Sequence, residues 1–233
     1  MSWLDIASVS GFFMTWVGYT LFARKKARET WCLSSSLRWF RVEWMLRMLD
    51  RELRMADTAI LGNLERVIGF FASTSILILA GLVTALTANK AAIAMLTSLP
   101  FAEPTTVEQF ELKVMLLILI YIFAFFNFTW SLRQYSFANV LIGATPAQNS
   151  ALSEEERRCF AINAAKVIDH AGHSYNYGLR SYYFSISVLG WFIHPVLFIA
   201  GYLLVIYILY RREFLSRSLQ SILAAREGIL KGN

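Results

Sequence analysis

Asp169, His170 and His173 bring carboxylate and imidazole together within five residues, and metal binding is the first chemistry such a group suggests. On a helix Asp169 and His173 share one face one turn apart, the spacing of a paired metal ligand. No second cluster of His, Cys or carboxylate completes a coordination shell, and neither HExxH nor CxxC occurs. The blander alternative is a polar helix end beside Gly172. Cys32 and Cys159 lie far apart and read as free thiols, implying neither a disulfide nor a metal cage. Nothing matches a nucleophile elbow, a P-loop or a dinucleotide fingerprint. No catalytic residue, cofactor or metal site is therefore assigned.

Other polar residues draw their meaning from apolar surroundings. Arg180, Ser187, His194 and Gly201 recur at intervals of seven, with Asn176, Tyr183 and Gly190 between them on the same side of a helix. In hydrocarbon such a stripe must face protein or a water-filled path, which leaves two readings: packing between subunits, or the lining of a conduit. Asn127, followed at helical spacing by Ser131 and Gln134, reads first as interhelical glue, worth about 0.6 kcal/mol per contact. Small residues also form rows, Ala7, Gly11, Thr15 and Gly18 in one stretch and Gly69, Ser73, Ala80, Thr84 and Ala88 in another, and these favour close helix packing. A fourth pattern is charged. Glu43, Arg47, Asp50, Arg54 and Asp57 recur at steps of 4, 3, 4 and 3, which aligns them as a ladder on one helix that is otherwise mostly apolar. That ladder would face water or a second copy of the chain.

The elements that must carry these residues follow from composition. Of 233 residues, 57% are hydrophobic and 16% charged, and mean hydropathy is +0.49. That is more apolar residue than a soluble globule of this size can hide, so part of the chain is expected to lie in lipid. Four stretches approach the roughly 20 residues needed to cross about 30 Å of hydrocarbon: about 6–23, 67–88, 114–132 and 182–210. Arg24, Lys25, Lys26 and Arg28 follow the first stretch, the wrong polarity for a cleaved signal peptide and right for a span ending in the cytoplasm. Lysine and arginine are dense in 24–66 and 133–180, whereas 89–113 holds only Lys90 and Lys113. Four spans would then leave the tail outside, although it carries Arg211, Arg212, Arg217, Arg226 and Lys231. A hairpin at His194-Pro195 would remove the conflict, but 29 residues fall short of the roughly 40 that two full spans require, so one tilted or kinked span is preferred.

Two further helical segments are expected on the cytoplasmic side, about 34–58 and 154–171. The second opens on a capping box of Ser153 and Glu156 and should stop at Gly172. Thr105 and Glu108 form a similar box after Pro104, starting a helix that feeds the third span. No linker divides the chain, so one helical membrane domain over 1–233 is expected.

The runs FFASTSILILAGL (Phe70 to Leu82), ELKVMLLILIYIFAFFNFTWSLRQYSFANVLIGATP (Glu111 to Pro146) and NYGLRSYYFSISVLGWFIHP (Asn176 to Pro195), with YRREFLSRSL and RMADTAILGNL, resemble a family of bacterial and plant membrane proteins catalogued as domain of unknown function five-nine-nine. The resemblance covers nearly the whole chain. It implies about four spans and carries no established activity. Asn176, Arg180 and Pro195 match its motif, as do Ser73, Asn127 and Arg133, and the resemblance makes these the preferred functional candidates. It also implies a small or polar residue at the position of His194, which argues against a catalytic His194.

The expectation is an all-α, polytopic protein of a bacterial inner membrane with its N-terminus periplasmic, in contact with membrane lipid and assembled as a homo-oligomer. The leading function is an oligomeric channel or transporter-like protein lined by the fourth span. The alternative is a structural or scaffolding protein that binds lipid or a cytoplasmic protein partner through the basic helix. Neither an enzyme nor a nucleic-acid binder is expected.

Overall fold

The computed structural model describes residues 3–98, 105–147 and 151–232, and every regular element in them is helical. The order is α1 (Trp3–Glu29), α2 (Leu33–Met48), α3 (Met55–Thr87), α4 (Asn89–Thr97), α5 (Val107–Gly143), α6 (Glu154–Trp191), α7 (Pro195–Phe214) and α8 (Arg217–Gly232). Four helices are long and apolar enough to cross a membrane: α1, α3, α5 and the run that begins at Pro195. The chain divides into two compact units. The first comprises Met1–Glu29, Ser73–Phe126 and Gly178–Arg211, the second Thr30–Ala72, Asn127–Tyr177 and Arg212–Asn233.

The first unit is built on a hairpin where one span was expected. α6 ends at Trp191 and α7 begins at Pro195. A Cβ on Gly190 would lie 3.2 Å from the Leu197 carbonyl, and one on Gly201 would lie 3.0 Å from the Ser187 Cβ. Residues placed nearly symmetrically about positions 193–194 therefore face each other, so the two arms run antiparallel. His194 makes the reversal: its Nδ1 accepts a hydrogen bond from the Val196 amide at 3.1 Å, and Pro195 follows at the first helical position, where it loses no intrahelical bond. The first arm does not start at Tyr182. It is the end of a 38-residue helix that begins at Glu154.

Aromatic rings fill this unit. Phe12 of α1 is fully buried, with its centroid 5.7 Å from Phe184, 5.2 Å from Phe198 and 6.2 Å from Tyr202. Trp191 stacks on Phe198 across the hairpin at 5.2 Å. Gly11 admits the Tyr202 ring, whose hydroxyl would stand 2.8 Å from a Cβ there. Hydroxyl side chains in these helices bond to their own backbone, as Thr20 does to the Trp16 carbonyl at 2.8 Å and Ser187 to Phe184 at 2.6 Å. Such bonds let Ser and Thr sit in an apolar setting without an unsatisfied polar group.

In the second unit the sequence boundaries shift. The expected 34–58 helix is two elements, because α2 ends at Met48 and α3 starts at Met55. Cys32 caps α2, its Sγ accepting from the Ser35 amide while its own amide donates to Ser35 Oγ. The second segment does not stop at Gly172. There the glycine serves close approach: a Cβ would lie 2.8 Å from Arg41 Nη2, and α6 continues for 19 more residues to Trp191. The Ser153–Glu156 box forms as expected, with Ser153 N donating to Glu156 Oε2 at 2.8 Å. The box before α5 is one residue later than expected, between Thr106 and Gln109. Pro104, which precedes it, lies outside the described residues.

Candidate functional site

The polar stripe expected along one span is divided by the hairpin. Arg180 and Ser187 stand on α6, Gly201 on α7, and His194 in the turn between them. Ser187 is 3% exposed and has Gly201 packed against it. Arg180 is half-buried with its guanidinium 5.6 Å from the Tyr19 ring centroid. His194 caps a helix. Of the stripe, Asn176 alone among the named candidates is exposed, and it belongs to the second unit.

Ser73 and Arg133 are both exposed, and Arg133 lies over the Phe137 ring at 5.6 Å. Asn127 is half-buried. Its neighbours at helical spacing join α5 to α6: Ser131 donates to the Ala171 carbonyl at 2.7 Å, and Ser174 donates to Gln134 at 3.1 Å. The row Gly69, Ser73, Ala80, Thr84 and Ala88 faces outward or is half-exposed, and a Cβ at Gly69 would meet nothing within 4 Å.

Asp169 is the electrostatic centre of the second unit. Its side chain is 4% exposed; Oδ2 accepts from Arg38 Nε at 2.8 Å, Oδ1 accepts from Arg41 Nη1 at 2.6 Å, and His173 Nε2 lies 3.4 Å from Oδ2. Burial alone would raise this carboxyl, but the hydrogen bonds from His173 and Arg38 and the charge of Arg41 outweigh it and hold it well below its ordinary value. A carboxylate clamped between two guanidinium groups is a poor metal ligand, and among the described residues no group of three His, Cys, Asp or Glu side chains could hold a metal. The alternative expectation, a polar helix end, also gives way, since α6 is continuous there.

The charge ladder is dispersed rather than aligned. Glu43 and Arg47 pair on α2 at 2.8 Å. Asp50 lies in the turn after α2, 3.8 Å from Arg157, and Arg54 donates to the Pro146 carbonyl at 3.4 Å. Asp57 sits in the first turn of α3 with no exposed surface, and its Oδ1 accepts from Trp44 Nε1 and Arg51 Nη1, both at 2.6 Å. The regular spacing failed as a guide because helix geometry holds only within a helix, and six residues between α2 and α3 are not helical.

Several residues with strong partners gave little sign in the sequence. Asp5 accepts from Trp191 Nε1 at 2.9 Å, and Lys113, 7% exposed, donates to the Trp191 carbonyl at 2.9 Å. Arg226 of α8 lies 3.9 Å from the Trp31 centroid and 5.6 Å from that of Trp39, and Glu213 accepts from the Ser34 amide at the start of α2. Their one visible signal was type: a charge at the edge of an apolar stretch needs a partner. Between α1 and α7 runs a groove of about 650 Å³, lined by Thr15, Gly18, Tyr19, Phe22, Leu203, Ile206, Tyr207 and Tyr210.

The model of a family described as protein of unknown function, DUF599, matches residues 7–218. The chain belongs to the DUF599 family. The match spans α1 through the start of α8, so the hairpin, the Asp169 clamp and the groove all lie in the DUF599 region. No curated protein and no solved structure matches the chain.

Proposed function

We propose that this DUF599 protein is a polytopic protein of the bacterial cytoplasmic membrane, N-terminus outside and C-terminal tail inside, with a structural, lipid-engaging role. The hairpin at Phe192–His194 is the observation that supports it. With α1, α3 and α5 crossing once each and α6–α7 entering and returning, all 22 lysines and arginines except Lys90 and Lys113 fall on the cytoplasmic side. The positive-inside conflict in the tail then disappears. The arms are short, about 21 Å for residues 178–191 and about 24 Å for 195–210 at 1.5 Å per residue against about 30 Å of hydrocarbon, so they form a re-entrant hairpin that enters from the cytoplasmic side and returns to it.

The engagement of the polar residues favours a binding or structural role over conduction. Ser187 and Arg180 have partners within the subunit, and α2, the basic helix, commits Arg38 and Arg41 to Asp169. An oligomeric channel lined by the α6 stripe retains only the exposure of Asn176 in its favour. Reporter fusions test the topology: one after Lys231 should read as cytoplasmic and one after Lys90 as external. An external signal after Lys231 removes the hairpin topology and restores a single fourth span.

A further inference from the structure

One face of α5 carries a cation among apolar side chains. Trp130, Arg133, Phe137 and Val140 follow at steps of 3, 4 and 3, which sets them in a row on one side of the helix, and all four are exposed. The Arg133 guanidinium lies 5.6 Å from the Phe137 ring centroid and, among the described residues, makes no ion pair. The nearest acid in its own helix is Glu111, about six turns away. Glu65 of α3, which packs on a neighbouring face of α5, accepts from Asn139 Nδ2 at 3.0 Å and from Ser136 at 3.4 Å, and Asp169 of α6 is held by Arg38 and Arg41.

The contacts between α3 and α5 also fix the depth of Arg133. Glu65 meets Ser136 and Asn139 while Phe71 stacks on Phe128 at 5.5 Å, so the two helices run antiparallel and Val67 stands roughly level with Arg133. Val67 begins the apolar stretch of α3, and Leu132 ends that of α5. Two helices therefore leave the hydrocarbon at one plane, with Arg133 in it, Trp130 a turn inside and Phe137 a turn beyond.

Resting on the membrane placement above, we propose that Arg133 binds the phosphate of an anionic phospholipid at the cytoplasmic face, with the lipid chains lying along Trp130. Charge complementarity selects this occupant. A second copy packed on the row would bury the Arg133 of each copy with no carboxylate on the row to meet it, whereas a phosphodiester accepts from the guanidinium fork at the depth where headgroups lie. The ring of Phe137 draws the guanidinium away from hydrocarbon and toward that headgroup.

Native mass spectrometry of the full chain, delipidated in detergent and titrated separately with dioleoylphosphatidylglycerol and dioleoylphosphatidylcholine, tests this. Wild type should form its tightest adduct with phosphatidylglycerol, and Arg133→Gln should cut that preference about fivefold, the contribution of one cation near an anionic headgroup. Arg133→Glu should cut it further. Arg158→Gln, which removes an exposed charge on α6, should leave it intact. Equal retention of the two lipids by wild type, an unchanged preference in the Arg133 variants, or an equal loss in Arg158→Gln overturns the proposal. So does a disulfide between copies through Phe137→Cys in a background lacking Cys32 and Cys159, which would place a second copy on the row. The reporter fusions read membrane topology without reference to lipid, so either result can fail alone.

Discussion

Two guanidinium groups and an imidazole around one buried carboxylate make Asp169 the residue whose loss should be felt most in the second unit. Asp169→Ala leaves Arg41, itself only 20% exposed, with its charge uncompensated, and breaking such a pair from one side costs about 3 kcal/mol. A fall in the detergent melting temperature, absent in Glu43→Ala at the exposed pair on α2, would show it. The pH dependence has a definite sign. Because the folded carboxyl is held below its ordinary value, its contribution is complete above the unfolded value of about 3.9 and is lost as pH falls through the folded one. Melts of wild type should therefore be insensitive to this group from pH 7 to 5 and weaken below about 4, and Asp169→Asn should remove that portion of the acid slope. The cysteines make a second residue-scale contrast. Burial pushes the Cys32 thiol up against the opposing hydrogen bonds from Ser35, whereas Cys159 is exposed. A maleimide at neutral pH should label Cys159 in the folded protein and reach Cys32 only after unfolding.

Between elements, the hairpin depends on two glycines and a cap. Gly201→Leu would drive a side chain into Ser187, where even a Cβ lies at 3.0 Å, and overpacking of this kind costs about 1–3 kcal/mol. Gly81→Leu, with nothing within 4 Å of its Cβ, is the control that should leave the melting temperature unchanged. His194→Ala removes the acceptor for the Val196 amide and should cost about 1 kcal/mol, as for other N-cap losses, with His194→Asn restoring most of it. Activity at His194 would respond differently, since a capping residue has no reason to alter any rate once stability is restored.

For the whole molecule, the measurable question is whether the α6 stripe meets water. With Ser187 at 3% exposure, a cysteine placed there in a background lacking Cys32 and Cys159 should react no faster with a small charged thiol reagent than one at Leu189, an apolar position exposed on the same helix. Reaction at Ser187 alone, together with ion flux through liposomes, would revive a conduit.

Composition and hydropathy were enough to read the chain as helical and to place apolar helices over the first three spans, because apolar length is a property of consecutive residues. Local caps were legible for the same reason: Ser153–Glu156 is contained in four positions. The family resemblance was also in the sequence, carried by runs such as FFASTS and GWFIHP. What needed the tertiary structure was every pairing across distance. The ladder of Glu43 to Asp57 looked regular in one dimension, yet the chain turned after Met48, leaving Glu43 and Arg47 paired on α2 and sending Asp50, Arg54 and Asp57 to partners outside the ladder. The Asp169 clamp joins positions 128 and 131 residues apart, a separation in which spacing carries no information. His194-Pro195 could be read as a kink or a reversal from sequence alone. The reversal was decided by Gly190 and Gly201, whose missing side chains let two helix backbones approach closely enough to pack antiparallel.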